Sequence, residues 1–246
     1  MTEMTASARA ELAPTGTLRA GINYNNFILA AKDPVTGQPS GVAIDLLNDI
    51  ARRLGVPVEI IDYDSPALMG DAAPTNAWDI AFLGSDPQRE TLMDFTRAYL
   101  EIDATYLVPG DSPFRTAVEV DRDGIRIAAR GRMNFELFLK RNLKHARLTS
   151  TQTEEEAFGL LVTGKVDAWA ALAQSLRNRA GKLPGSRVLG GRFMGVQQSI
   201  AVPKGRDAGL AFLGRVVEEA KRSGLVARAI ERLGVKGVCV APLAEG

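Results

Sequence analysis

The chain is poor in the residues that metal and thiol chemistry need: one histidine, His145, and one cysteine, Cys239, in 246 residues. A single cysteine excludes an internal disulfide and says little about compartment. One His and one Cys also exclude a His/Cys metal site, so no metal is expected. His145 lies among Lys and Arg on a polar face, without a motif for nucleophilic catalysis. Charge of one sign is lacking too. Thirty Lys and Arg are interspersed with 29 Asp and Glu for a net +1, which excludes the basic stripe of a nucleic-acid face. No apolar run approaches the roughly 18 residues of a membrane span, so the chain is not expected to be membrane-embedded. Neither G-x-G-x-x-G nor G-x-S-x-G occurs. Gly159 to Lys165 has the spacing of a phosphate loop. However, Val166 replaces the required Ser or Thr, and the segment ends a helix where a strand-to-helix turn is needed. No cofactor is expected. The first sixteen residues, MTEMTASARAELAPTG, have no basic start followed by an apolar core and do not read as a signal peptide. Either an export signal has been removed or the protein stays in the cytoplasm.

What is present is strand–helix alternation, in a chain 46% hydrophobic and long enough for one large or two small domains. Leu46, Leu47, Ile50, Ala51 and Leu54 repeat on one face of a helix over 42–54, closed by Gly55. Pro57 to Tyr63 reads as a strand, as do 78–82 and 104–108. Pro109-Gly110-Asp111-Ser112-Pro113 then marks a crossover between domains. A second unit follows, with a strand over 124–128 and a helix over 134–143. A helix from Glu154 has Thr153 and Glu156 in capping-box spacing and ends at Gly164. Strand 166–171 comes next, then a loop over 181–185. Strand 198–202 should carry the chain back, before helices over 208–222 and 225–233. Trp78 and Trp169 are expected in cores.

The most informative stretch runs from Trp78 to Val108. Its buried strand breaks at Gly84-Ser85-Asp86-Pro87 and delivers Arg89 just past the strand's carboxyl end. Ligands of open α/β sheets bind at such ends, and a guanidinium there is a ready fork for a carboxylate. Asp94-Phe95-Thr96-Arg97-Ala98-Tyr99 precedes the next strand. Gly16 to Asn23, Gly41 to Gly55, Gly164 to Ala168, Gln198 to Gly205 and Lys221-Arg222-Ser223-Gly224 add further pieces. In order and spacing this set resembles the solute-binding proteins of polar amino acid ABC importers, over roughly 16–242.

The resemblance implies two Rossmann-like α/β lobes joined by two hinge strands, the type II periplasmic binding protein arrangement. Lobe 1 would be 16–108 with 198–246 and lobe 2 would be 109–197, after a flexible extension, 1–15. It implies a small-molecule carboxylate or amino-acid-like ligand, a membrane permease as partner, a monomer, a periplasmic location and no catalysis. Arg89 would grip the carboxylate, with backbone donors around Gly84, Ser85 and Asp86. Asp86 stands where the family often has Thr or Ser, and is equally the N-cap of a turn beginning at Pro87. Asn23, Asn25 and Phe27 would line the pocket, beside Tyr24; the alternative is a capped loop. On lobe 2, Arg132 and Met133 replace hydroxyl residues at a helix start suited to an anion. Arg132 then favours an anionic ligand or points to solvent. Gln197 and Gln198 lie near the hinge return.

One departure stands out. The family's strand ends D-A-x-x-x-D, with the last acid pairing to the ligand's α-amino group. Here that place is Leu172. A buried ammonium without a partner is costly, which counts against a zwitterionic amino acid. Asp167, five residues earlier, lies on the other strand face. Two other readings stay open. One is an enzyme on the same scaffold resembling cyclohexadienyl dehydratase, which needs an acid in the cleft. The other is a cytosolic ligand sensor.

Overall fold

The computed structural model describes residues 5–244. The chain begins with α1 (Ala6–Leu12), β1 (Leu18–Ile22), and the short strands β2 (Ala31–Lys32) and β3 (Pro39–Ser40). Then come α2 (Val42–Leu54), β4 (Val58–Asp62), α3 (Pro66–Asp71), β5 (Ile80–Gly84), β6 (Met93–Phe95) and β7 (Leu100–Val108). The middle holds β8 (Arg126–Arg130), α4 (Asn134–Asn142), β9 (Arg147–Thr151), α5 (Glu154–Val162), β10 (Ala168–Leu172), α6 (Ala173–Ala180) and β11 (Arg187–Val188). The return is β12 (Met194–Pro203), followed by α7 (Asp207–Arg222), α8 (Leu225–Leu233) and β13 (Val238–Val240). The chain divides into two units, one reaching Glu101 and resuming at Gln197, the other Ile102–Val196.

In the first unit β1 is flanked by two parallel strands, Ala20 standing opposite Ile60 of β4 and Ile80 of β5. β12 runs antiparallel to β5, Ile200 opposite Phe82, and takes β6 on its other side. Every residue of β5 is buried, as its unbroken apolar run requires. The shared direction of β1, β4 and β5 brings Ile22, Asp62 and Gly84 to one edge. Leu46, Leu47, Ile50 and Leu54 of α2 are fully buried, each worth about 1.5–3 kcal/mol over an exposed position. Gly41 starts this helix at φ +125°, and a Cβ there would meet the Leu29 carbonyl oxygen at 2.4 Å. The helix ends at Gly55, left-handed at φ +64°. Trp78 is buried against Met69, Leu83 and Met93 and donates Nε1–H to the Met69 carbonyl.

The second unit orders its strands β7-β10-β8-β9, with β10 antiparallel to β7 and parallel to β8. β9 is parallel to β8. Trp169, Phe135, Phe158 and Leu176 share its core.

Two expectations about boundaries change. The division between the two units falls after Glu101, ahead of the crossover expected at 109–113, and Ala104 to Leu107 pair with Leu172 to Trp169 of β10. Within the extension expected to be flexible over 1–15, Ala6–Leu12 form a helix. Thr5 caps α1 by accepting the Ala8 N–H, and Ala8 and Leu12 are buried as α1 packs on α7. Residues 1–4 lie outside the described residues.

Candidate functional site

The carboxyl edge of the first unit's parallel strands carries the candidates from its sequence. Arg89 begins a 3₁₀ turn, Arg89–Thr91, and is only 7% exposed. Its Nη1 donates to the Gly84 carbonyl at 2.8 Å, which folds the guanidinium back over the end of β5. The turn that delivers it is built by Asp86. The carboxylate accepts the Gln88 N–H at 2.9 Å, and the carbonyl accepts from Arg89 and Glu90. These bonds tie Asp86 to the turn that runs from Pro87 into Arg89–Thr91. The amide of Ser85 is not available to a solute, since it donates to the Gln197 carbonyl, and Gly84 stands opposite Gln198 in the sheet register.

The loop after β1 is held by its own amides. Asn23, buried, accepts the Asn25 N–H at 2.7 Å, and Asn25 donates Nδ2–H to the Asp64 carbonyl. Phe27 is 36% exposed at the loop's end. No motif marks Lys32. Its Nζ stands 4.5 Å from the centroid of the Tyr24 ring and 2.5 Å from Asp62 Oδ2. Burial raises the Tyr24 phenol above its ordinary value, the Asp62 charge raises it further, and Lys32 opposes.

In the second unit, β8, β9 and β10 run in one direction, so Arg130, Thr151 and Leu172 end at one edge. Arg132 turns out of β8 with a left-handed φ of +62°, a strained conformation for a residue with a Cβ. Met133 is the N-cap of α4 and supplies no side-chain bond. Glu136 takes over instead. Fully buried, it accepts the Arg132 N–H and the Ser150 hydroxyl, and pairs with Lys140. One amide proposed for an anion is therefore held by the chain's own carboxylate. The signal was present, because Glu136 is at the third helical position, where a reach-back acid belongs.

Leu172 ends β10 and leads directly into α6, whose Gln174 bonds to Asn178. Asp167 is held at the strand's other end by Arg126, which lowers its carboxyl below the ordinary range. Sequence reasoning also missed Glu154, the first residue of α5. Burial raises its carboxyl, while Arg130, Arg179 and a hydrogen bond from Ser175 pull it down. Among the described residues, no cluster of three or more His, Cys, Asp or Glu could hold a metal ion, and no helix is long and apolar enough to cross a membrane.

Residues 18–234 match the family described as bacterial extracellular solute-binding proteins, family 3. Among solved structures, an amino acid ABC transporter substrate-binding protein from Streptococcus pneumoniae, bound to L-arginine, is 23% identical at a TM-score of 0.73. It aligns over 95% of this chain and 99% of its own. A mutant of ArgBP from T. maritima is 24% identical over 92% of this chain and 98% of its own, TM-score 0.71. The ancestral amino acid-binding protein AncCDT-1, described as a precursor of cyclohexadienyl dehydratase, is likewise 24% identical. It covers 92% of this chain and 99% of its own, TM-score 0.71.

Proposed function

We infer that this chain, a member of family 3 of the bacterial extracellular solute-binding proteins, captures a small organic anion or amino-acid-like solute and delivers it to an ABC permease. The observation that carries the reading is Arg89. A nearly buried guanidinium at the carboxyl end of a central parallel strand is placed where open α/β sheets bind ligands. A guanidinium is a planar fork that matches a carboxylate, and the Gly84 carbonyl fixes this one at the strand's end. Asn23, Asn25 and Phe27 belong to the same edge, and Gly84 to Asp86 fix the turn that aims the arginine. Arg132 and Met133, at the start of α4, are the proposed contribution of the second unit. Leu172, where the resemblance expects an acid, tilts the choice toward carboxylates without an α-amino group.

Binding acts by closure of the two units about their connecting strands, with the solute favouring the closed state. The protein works as a monomer, in the periplasm if an export signal precedes this sequence.

Arg89→Ala is expected to lose binding of carboxylate solutes while circular dichroism keeps its α/β signature. Unchanged affinity would remove the site assignment. A titration panel of amino acids and simple dicarboxylates tests the Leu172 argument, since preference for an ordinary amino acid would overturn it.

One observation favours a second reading. Glu154 is a carboxyl raised by burial near the carboxyl edge of the second unit, the property an acid catalyst needs. Formation of an aromatic product from a cyclohexadienyl acid, lost in Glu154→Gln, would establish that dehydratase reading; no turnover leaves the binding role.

A further inference from the structure

Lys32, Tyr24 and Asp62 come from three separate segments and meet at the edge that carries Arg89. Tyr24 follows β1, Asp62 ends β4, and these two strands are paired so that Ile22 stands opposite Asp62. Lys32 comes from the β2–β3 hairpin, where it stands opposite Pro39. An aromatic face beside a carboxylate is the standard arrangement for holding an ammonium or guanidinium. Here the ring and the carboxylate are both engaged by one Nζ, at 4.5 Å and 2.5 Å.

The hairpin that presents this ammonium is fixed independently of it. Asp33 accepts the Val35 and Thr36 N–H groups and the Thr36 hydroxyl, and its own N–H donates to the Gln38 carbonyl. Gly37 closes the turn at φ +70°. Both side chains of the pair are about half exposed, so a solute reaching this edge meets the ammonium directly.

We propose that Lys32 is a built-in occupant of a cation subsite. Its ammonium fills the place that the Tyr24 ring and the Asp62 carboxylate would otherwise offer to a solute, so the solutes this chain takes carry no distal positive charge. The proposal rests on the solute-binding reading above and names its ligand class as anionic or neutral. Lys32 acts as a specificity residue, and its removal opens a site already built.

The test is calorimetric titration of L-arginine, L-glutamine, L-glutamate and succinate into the wild type, Lys32→Met and Lys32→Arg at neutral pH. Lys32→Met keeps the apolar stem and removes the charge, and Lys32→Arg restores a cation. The wild type should take one of the last three solutes more tightly than arginine. In Lys32→Met arginine should tighten roughly fivefold or more, the worth of one cation–π contact, while the others do not tighten and Lys32→Arg behaves as wild type. Arginine as the tightest wild-type ligand, or unchanged in Lys32→Met, would overturn the subsite while leaving the binding function standing. Absence of binding for every solute in all three proteins would overturn this inference, whose ligand class those solutes represent, and would leave the family assignment standing.

Discussion

Asp79 lies outside the candidate site and accepts from two arginines of distant segments, Arg19 and Arg206. It is fully buried just before β5, at the end opposite Arg89, and accepts the Arg19 backbone N–H and both arms of its guanidinium at 2.8–3.0 Å. Arg206 adds a bond at 2.9 Å, while the same Nη1 reaches the Glu11 carbonyl. One carboxylate thus ties β1, β5, α1 and the approach to α7. Removing it would leave two guanidiniums partly buried without their anion, which costs more than the pair itself contributes. Asp79→Ala is expected to destabilise the first unit by about 3–5 kcal/mol, read by urea denaturation. A loss under about 1 kcal/mol would mean that water or another acid replaces the carboxylate. Nothing in the sequence marks Asp79, because its partners are 60 and 127 residues away. Arg89 was legible because its signal is local: a strand, a polar turn, then an arginine.

At the scale of elements, α1 shows how a short helix is made stable by its neighbour. Seven residues form no stable helix alone, yet Leu12 is buried against Gly209 of α7. A Cβ at Gly209 would lie 2.8 Å from Leu12 Cδ2, so the glycine is what lets the two helices approach. Glu11 accepts the Gly209 N–H at 2.7 Å, near the start of α7. Leu12→Ala should therefore cost about 2–4 kcal/mol in thermal or chemical unfolding, where a truly loose extension would cost nothing.

The loop between α4 and β9 makes a pH prediction. Asp121 accepts the N–H groups of Lys144, His145 and Ala146. Burial alone would raise its carboxyl, but these amides outweigh that and hold it below the ordinary range. A carboxyl lower when folded than when unfolded stabilises fully above about pH 4, and that contribution is lost as pH falls through the folded value. Stability should thus decline below about pH 4, and Asp121→Asn should flatten that decline. An equal slope in the variant would assign it to other acids.

Periodic helices such as α2 and α8 were readable to the residue, since their buried stripes are their own signal. α6 was missed because it follows β10 directly, with Leu172 as an N-cap that supplies no side-chain bond. β9 was missed because Arg147 to Thr151 is an edge strand, mostly exposed, with no apolar alternation to detect. The same limit applies to Lys32, whose partners are set by tertiary packing.

For the whole molecule, the decisive quantity is how solute binding couples two units that each have their own core, one around Trp78 and one around Trp169. The chain passes between them twice, within β7 and within β12. Where these strands belong to the first unit they are fastened together, Gln197 donating to Glu101 at 2.5 Å. A solute that engages both units stabilises the folded chain by RT ln(1 + [L]/Kd), about 2.7 kcal/mol at 100-fold Kd. The proposed closure should also shrink the radius of gyration measured by small-angle scattering. Both effects should vanish together in Arg89→Ala, because an arginine that anchors the solute controls occupancy and hence closure. Stabilisation without any change in radius would place the solute on one unit alone, and closure would no longer describe how this chain works.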